Sequence, residues 1–379
     1  MSQNERWIWQ NKNYPNFNYD IDKLTSLIQK VHIVQGELIV LTSTINEESF
    51  QDKYIEALTN EAINTSAIEG EVLNRDSVRA SIRKKLGIDT YFFHTDPHTE
   101  GVVSILLDAN TNYTKPLHLE RIFGWHNALF PTGYSGFEKI NVAAFRGEEE
   151  MKVVSGAIGR ERTHYVAPPS KSLFLEMNSF LHWFEKEDAT LIKASIAHLW
   201  FVIIHPLDDG NGRIARAITD LVLAKIENSK ASKLYSMSTA ILNDRKGYYD
   251  ILDRTTGFVP KQEHENPLDI TLWIEWFLKT LLCSLSQAKE NLYFIIEKTK
   301  FWDKHRDTQL NSRQIKMLNK VLDIGVNNFE GGINKRKYVA ITKTSDRTAV
   351  RDLNDLISKG CIRQELNSKG RNVRYEIIV

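Results

Sequence analysis

Cysteine is scarce: Cys283 and Cys361 are the only two in 379 residues, far apart and in no metal spacing. Neither a disulfide framework nor a cysteine-held zinc is signalled, and a reducing cytoplasm is the expected location. Long apolar runs are missing as well. The most apolar stretch, IAHLWFVII, has nine residues, and the opening MSQNERWIWQNKNYPNF holds no continuous apolar segment, so neither an export signal nor a membrane span is expected. Net charge is almost nil, +1 from 49 basic and 48 acidic residues, which leaves no bulk attraction to nucleic acid or membrane. No G-x-x-x-x-G-K-[ST] phosphate loop occurs.

What is present is ordinary for a globular protein, 42% hydrophobic and 26% charged residues, and the length suits two or three domains. The charge is unevenly spread. Ile333 to Val379 holds eleven Lys or Arg against five Asp or Glu, a local +6 that leaves about −5 for the rest.

Apolar spacing predicts a mainly α chain. LTSLIQKVHIVQGELIVL is helical, interrupted by Gly36, and QDKYIEALTNEAINTSAIEGE sets Ile55, Leu58, Ala62, Thr65 and Glu69 along one ribbon before Gly70. MKVVSGAIGRERTHYVAPP reads as a small β-hairpin, with strands at Lys152 to Val154 and Thr163 to Val166 around Gly156 and Gly159. TLIKASIAHLWFVII is apolar nearly all round and is expected in the middle of a bundle. The C-terminal part reads as three short helices followed by strand, turn and strand. That is the winged-helix order, with SDRTAVRDLNDLISKG in the recognition-helix place. The expected division is an N-terminal helical region over 1–110, a helical core over 111–300 and a winged-helix domain over 308–379.

The chemistry concentrates in HPLDDGNGRIAR, His205 to Arg216. Pro206 ends one helix and RIARAITDLVLAKIE begins the next, so these residues sit at a helix N-terminus. Gly210, Asn211 and Gly212 leave its amides open to an anion. Arg213 and Arg216, three apart on one helix face, can clamp further phosphates. A hard cation bridging phosphates needs one well-placed acid, for which Asp209 is the candidate and Asp208 the spare. His205 can take a proton from an attacking hydroxyl. A polyphosphate, a magnesium ion and a hydroxyl would use all of these groups; an interhelical turn with a solvated charged face is the alternative.

HPLDDGNGRIAR resembles the signature of the Fic domain family, H-P-F-x-[DE]-G-N-G-R-x-x-R, and departs from it at Leu207, where the family usually has Phe. The resemblance implies a Fic-type helical bundle with a small β-hairpin flap. It also implies a protein adenylyltransferase that moves AMP from ATP to a Tyr, Ser or Thr hydroxyl of a target protein, or of the chain itself, and releases pyrophosphate. His205 would be the general base and Asp209 the Mg²⁺ ligand. Gly210, Asn211 and Gly212 would cradle the inner phosphates, with Arg213 and Arg216 on the outer ones. The hairpin resembles the flap that aligns the target as an added strand. Tyr248 and Tyr249 in KGYYDIL match a Tyr pair placed near the adenine; where some relatives have Asn beyond that pair, this chain has Thr256.

TSAIEGE resembles the family's inhibitory motif [ST]-x-x-x-E-[GN], here Thr65, Glu69 and Gly70, on a helix expected over about 53–70 and ahead of the core. Glu69 would then pair with Arg216 and compete with a phosphate. Alternatives stay open: removal of AMP from protein, transfer of UMP, phosphate or phosphocholine, or a winged-helix DNA-binding regulator with a nucleotide-sensing core. Arg347, Arg351 and NSKGRNVR are the candidate DNA contacts, and protein interaction is the other use of such a module.

Overall fold

The computed structural model describes residues 7–88, 96–155, 162–229, 234–257, 268–366, 368 and 373–378. Fourteen α-helices and three two-stranded antiparallel hairpins appear among them. The chain divides into two compact units, residues 1–39 with 50–287, and residues 40–49 with 288–379.

Helix α1 (Ile21–Thr44), whose residues up to Ile39 belong to the first unit, runs unbroken through Gly36 and buries Leu24, Val31, Gln35 and Leu38. Glycine within a helix costs about 1 kcal/mol relative to alanine, too little to stop a helix anchored on both sides. By length and composition α1 could cross a membrane, with 22% of its most apolar window buried. A single helix that passes this test is weak evidence of a membrane span, and its apolar residues are interspersed with polar ones rather than contiguous. Gln35 ties this helix to Glu227 by a 2.8 Å hydrogen bond. Next come α2 (Glu47–Ile68), α3 (Arg75–Lys85), α4 (Pro97–Thr111) and α5 (Leu119–Leu129). Asn74 and Asp96 cap α3 and α4 by accepting backbone N–H bonds from Ser77 and Thr99. Gly101 lets α4 and α5 touch, since a Cβ there would lie 1.8 Å from the Ala128 carbonyl oxygen.

Two hairpins follow: β1 (Tyr134–Ser135) with β2 (Glu138–Lys139), and β3 (Lys152–Ser155) with β4 (Arg162–Val166). The second has Lys152 opposite Val166 and a register shift between Val153 and Val154. Its strands lie where the sequence places them; Gly156 and Gly159 of its turn fall outside the described residues.

After α6 (Leu173–Lys186), helix α7 (Leu191–Ile204) is buried on nearly every side, as its composition predicts, and packs against α8 (Asn211–Glu227). Helices α9 (Met237–Asn243), α10 (Arg245–Thr256) and α11 (Thr271–Lys304) follow. Trp273 of α11 is fully buried and donates its indole N–H to Ser195 O on α7.

The second unit contains α12 (Ser312–Ile324), α13 (Lys335–Thr342), α14 (Asp346–Ser358), β5 (Ile362–Gln364) and β6 (Tyr375–Ile377), in the predicted order of three helices and a hairpin. Its core gathers Phe301, Met317, Leu318, Tyr338, Leu353 and Ile362. Buried Asp352 accepts from Arg313, Asn311 and Tyr338, binding α14 to α12 and α13 through charge-assisted bonds. Most of the expected NSKGRN turn lies outside the described residues.

Candidate active site

The link between α7 and α8 is built under local strain. His205 ends α7 in the left-handed conformation, φ 49° and ψ 57°, which is costly for a residue with a Cβ and turns its side chain out of the helix direction. Its Nδ1 donates to Val202 O at 3.1 Å, so the lone pair lies on Nε2 and that nitrogen is free to accept a proton. Burial, helped by nearby Arg146, pushes the His205 pKa below the usual imidazole value.

The loop's shape is held from several sides. Asn211 accepts from Leu207 N at 3.0 Å and donates to Leu207 O at 2.8 Å, so its amide clasps the loop backbone both ways. Leu207, where the chain departs from the signature's phenylalanine, is fully buried. Gly210, φ 81°, takes a turn at which a Cβ would press on Leu129 and Phe130 at 3.0–3.1 Å. No side chain caps α8 at this residue, so the first amides of the helix, at Asn211, Gly212 and Arg213, point outward without intrahelical partners.

The two aspartates divide. Asp208 accepts from Asn141 N at 2.7 Å and Gly147 N at 3.3 Å, which pins the 141–147 segment to the loop; it has a structural task rather than being spare. Asp209 accepts from Gly210 N at 2.5 Å and from Ser135 Oγ on β1, and its side chain remains 40% exposed.

Both signature arginines are deeply buried and both meet an acid. Arg216 donates Nη2 to Glu69 Oε1 at 2.7 Å and to Thr65 O at 2.9 Å, and Nε to Thr65 Oγ1 at 2.7 Å. Burial opposes the Arg216 charge, yet Glu69 beside it holds the pKa above the usual value. Arg213 donates Nη1 to Glu71 at 2.6 Å and lies over the Phe130 ring, 5.1 Å from its centre. Arg213 Nε and Arg216 Nη1 are buried without a hydrogen-bond partner among the described residues. Glu69 reaches in because α2 ends at Ile68 and Gly70, φ 88°, turns the chain. A Cβ on Gly212 would lie 2.2 Å from Glu69 Oε1, so this glycine leaves room for whatever occupies the cradle.

The Tyr pair separates. Tyr248 is buried, and its hydroxyl meets His198 Nε2 at 3.0 Å. Burial and Arg216 depress the His198 pKa to about 3, so the ring stays neutral beside the guanidinium. Tyr249 keeps a partly exposed face and donates to Ile68 O at 3.2 Å, against the last turn of α2. Thr256 turns its hydroxyl to Leu252 O in its own helix.

Sequence reasoning passed over Arg146, which donates Nε to His205 O at 2.8 Å, Nη2 to Pro168 O and its backbone N–H to Pro206 O at 2.9 Å. Nothing in FRGEEE marks that role, because it depends on where the loop returns. Glu71 closes TSAIEGE, and a second acid two residues beyond Glu69 is the available signal. His98 on α4 gave none.

An α-helical fold that buries two guanidinium groups on a helix with a glycine-led, uncapped N-terminus is the class these observations define. Within it, a family model described as "Fic/DOC family" matches residues 116–223, and the chain carries a Fic/DOC domain. A second, described as "Domain of unknown function (DUF4172)", matches residues 7–88. The chain is similar to "Protein adenylyltransferase Fic" of Nematostella vectensis, 21% identical over 241 residues, covering 62% of this chain and 49% of that protein. It is also similar to "Uridine 5'-monophosphate transferase" of Xanthomonas campestris pv. campestris (strain 8004), 29% identical over 119 residues, covering 29% of this chain and 21% of that protein. The chain thus spans about half or less of the length of these curated relatives. Among solved structures, a Fic family protein from Desulfovibrio desulfuricans G20 superposes with a TM-score of 0.52 at 18% identity, covering 94% of this chain and 95% of that one. Fic-1 (residues 134–508) from C. elegans gives 0.50 at 17% identity over 74% of each. These likenesses establish the fold as Fic-type.

Proposed function

We propose that this chain is a protein adenylyltransferase that transfers AMP from ATP to a hydroxyl side chain and is held inactive by Glu69 on Arg216. The observation that carries the reading is the pair of unpartnered guanidinium nitrogens, Arg213 Nε and Arg216 Nη1, buried beside the uncapped start of α8. A buried guanidinium N–H without a partner is costly, and a phosphate oxygen supplies one. The backbone amides of Asn211 and Gly212 take the inner phosphates, while the Asn211 side chain keeps the loop in shape.

In the proposed step the target oxygen attacks the α-phosphorus, the bond from that phosphorus to the bridging oxygen breaks, and pyrophosphate leaves. The hydroxyl proton passes to His205 Nε2, whose lone pair is directed by the Nδ1 bond to Val202. Magnesium characteristically takes one or two carboxylates together with phosphate oxygens, and Asp209, partly exposed and next to the cradle, fits that donor set. Bound there it would neutralise phosphate charge. The β3–β4 hairpin, which pairs with no third strand among the described residues, suits a target segment added as a strand. Tyr249, with its exposed face, suits the nucleoside better than buried Tyr248.

The brake is competition for one cation: Glu69 and a terminal phosphate require the same guanidinium. Thr65 braces Arg216 in the blocked pose and Gly70 supplies the turn that brings Glu69 in. Transfer of UMP is the second reading, favoured by the name of the Xanthomonas relative. For the C-terminal unit, the order α12, α13, α14, β5, β6 supports a winged-helix module.

The test is incorporation of α-labelled ATP, and in parallel α-labelled UTP, into lysate proteins or the chain itself. Wild type, Glu69→Gly, and Glu69→Gly with His205→Ala are compared with Mg²⁺ present. Label with Glu69→Gly that vanishes on adding His205→Ala supports transferase and brake together; label from UTP alone replaces AMP by UMP. Absence of label from both nucleotides, with folded protein, rejects the reading.

A further inference from the structure

Glu69 accounts for one arginine of the cradle and leaves the other unexplained. Arg213 is as deeply buried as Arg216, and its Nη1 is taken by Glu71 at 2.6 Å, a bond as short as the Glu69 contact. The two acids are two residues apart on a turn made by Gly70 at φ 88°, and this turn sends their side chains to different arginines. Every signature guanidinium is therefore met by its own carboxylate.

Glu71 is also held from behind. The oxygen that meets Arg213 lies 3.0 Å from His98 Nε2, and His98 Nδ1 lies 3.0 Å from Leu129 O. A carbonyl and a carboxylate oxygen can only accept, so both ring nitrogens must donate and His98 is an imidazolium when both bonds are made. His98 belongs to α4 and Leu129 to α5, so the turn after α2 is fastened to the helical core independently of Arg216.

Resting on the adenylyltransferase reading above, we infer that Glu71 is a second inhibitory carboxylate, which competes with a nucleotide phosphate for Arg213 and is latched in place by His98. Relief of Glu69 alone then leaves the cradle half neutralised. Arg213 without Glu71 would still be positioned by the Phe130 ring, 5.1 Å away, and by Asp209 at 3.7 Å, so removing the acid frees the guanidinium rather than displacing it. Glu71 is about one-third exposed, which moderates the strength of its pair.

The experiment measures equilibrium binding of a non-hydrolysable ATP analogue and of AMP to the full chain with Mg²⁺, comparing wild type, Glu69→Gly, Glu71→Gln and the double variant. Melting temperatures report folding. The double variant is expected to bind the triphosphate about fivefold more tightly than Glu69→Gly, with AMP affinity unchanged because AMP lacks the outer phosphates. Equal triphosphate affinity of the double variant and Glu69→Gly overturns the inference and leaves the parent reading intact. Failure of folded Glu69→Gly to bind the triphosphate rejects both. If Glu71→Gln proves unstable, Glu71→Ala in the Glu69→Gly background carries the same comparison.

Discussion

Glu69 Oε1 sits 2.7 Å from Arg216 Nη2 and 2.2 Å from the point where a Cβ on residue 212 would stand. One carboxylate thus fills both the charge and the space at the start of α8. Removing it by Glu69→Gly is expected to raise triphosphate affinity about tenfold, as read by calorimetry. Adding Gly212→Ala to that variant puts a methyl into the vacated space and close to Arg216 Nη1, 3.2 Å away, and is expected to reverse the gain. Tight binding retained with Gly212→Ala would mean that the nucleotide does not use this space.

His205 must be neutral to accept a proton. Burial lowers its pKa, so the neutral form persists to lower pH than for a free imidazole, and kcat/KM should fall only as pH drops through this depressed value. In the Glu69→Gly background, a pH–rate profile whose acidic limb lies at or above 6.5 would contradict that base. His205→Ala is expected to lose about 10²-fold or more in turnover while keeping nucleotide affinity.

Arg146 shapes the loop without facing the cradle. Arg146→Ala leaves the carbonyls of His205 and Pro168 without their donors, at a cost of about 2 kcal/mol. Turnover in the Glu69→Gly background is expected to fall while triphosphate affinity changes less than threefold. An equal loss in both would show that Arg146 supports the whole unit rather than His205.

Glu227 predicts a pH dependence of stability. Burial raises its pKa from 4.5 to about 7, against the hydrogen bonds from Tyr235 and Gln35 that favour the charged form. A raised carboxyl binds its proton more tightly in the folded state, so its contribution is full below about pH 4.5 and is lost as pH rises through 7. Between pH 5.5 and 8 the loss is about 2 kcal/mol. Melting curves should show lower stability at pH 8 than at pH 5.5, and Glu227→Gln should flatten this slope; an unchanged slope would locate it in other groups.

Gly101→Ala tests the α4–α5 packing on which Leu129 and His98 depend. The added Cβ would meet the Ala128 carbonyl, part of a rigid helix backbone, at 1.8 Å. A loss of about 3 kcal/mol in a denaturant melt is expected, and a loss below about 1 kcal/mol would mean that the helices separate easily.

The sequence alone determined what local spacing can encode. HPLDDGNGRIAR set His205, the glycines and both arginines in a helix–turn–helix stretch, because Pro206 stops one helix and the glycines permit the start of another. TSAIEGE placed Glu69 at a helix end, and composition made α7 a buried helix. The tertiary structure decided everything that depends on distant segments meeting. It assigned Asp208 to residues 141–147, gave Arg146 the His205 carbonyl, turned Tyr248 inward and Tyr249 outward, and joined Glu71 to Arg213 and His98 across 142 and 27 residues. Spacing in a chain fixes which residues share a helix face, since the helical repeat is short-ranged. Which acid meets which guanidinium is set by helix packing, where burial removes water and leaves each charge to find its partner in the protein.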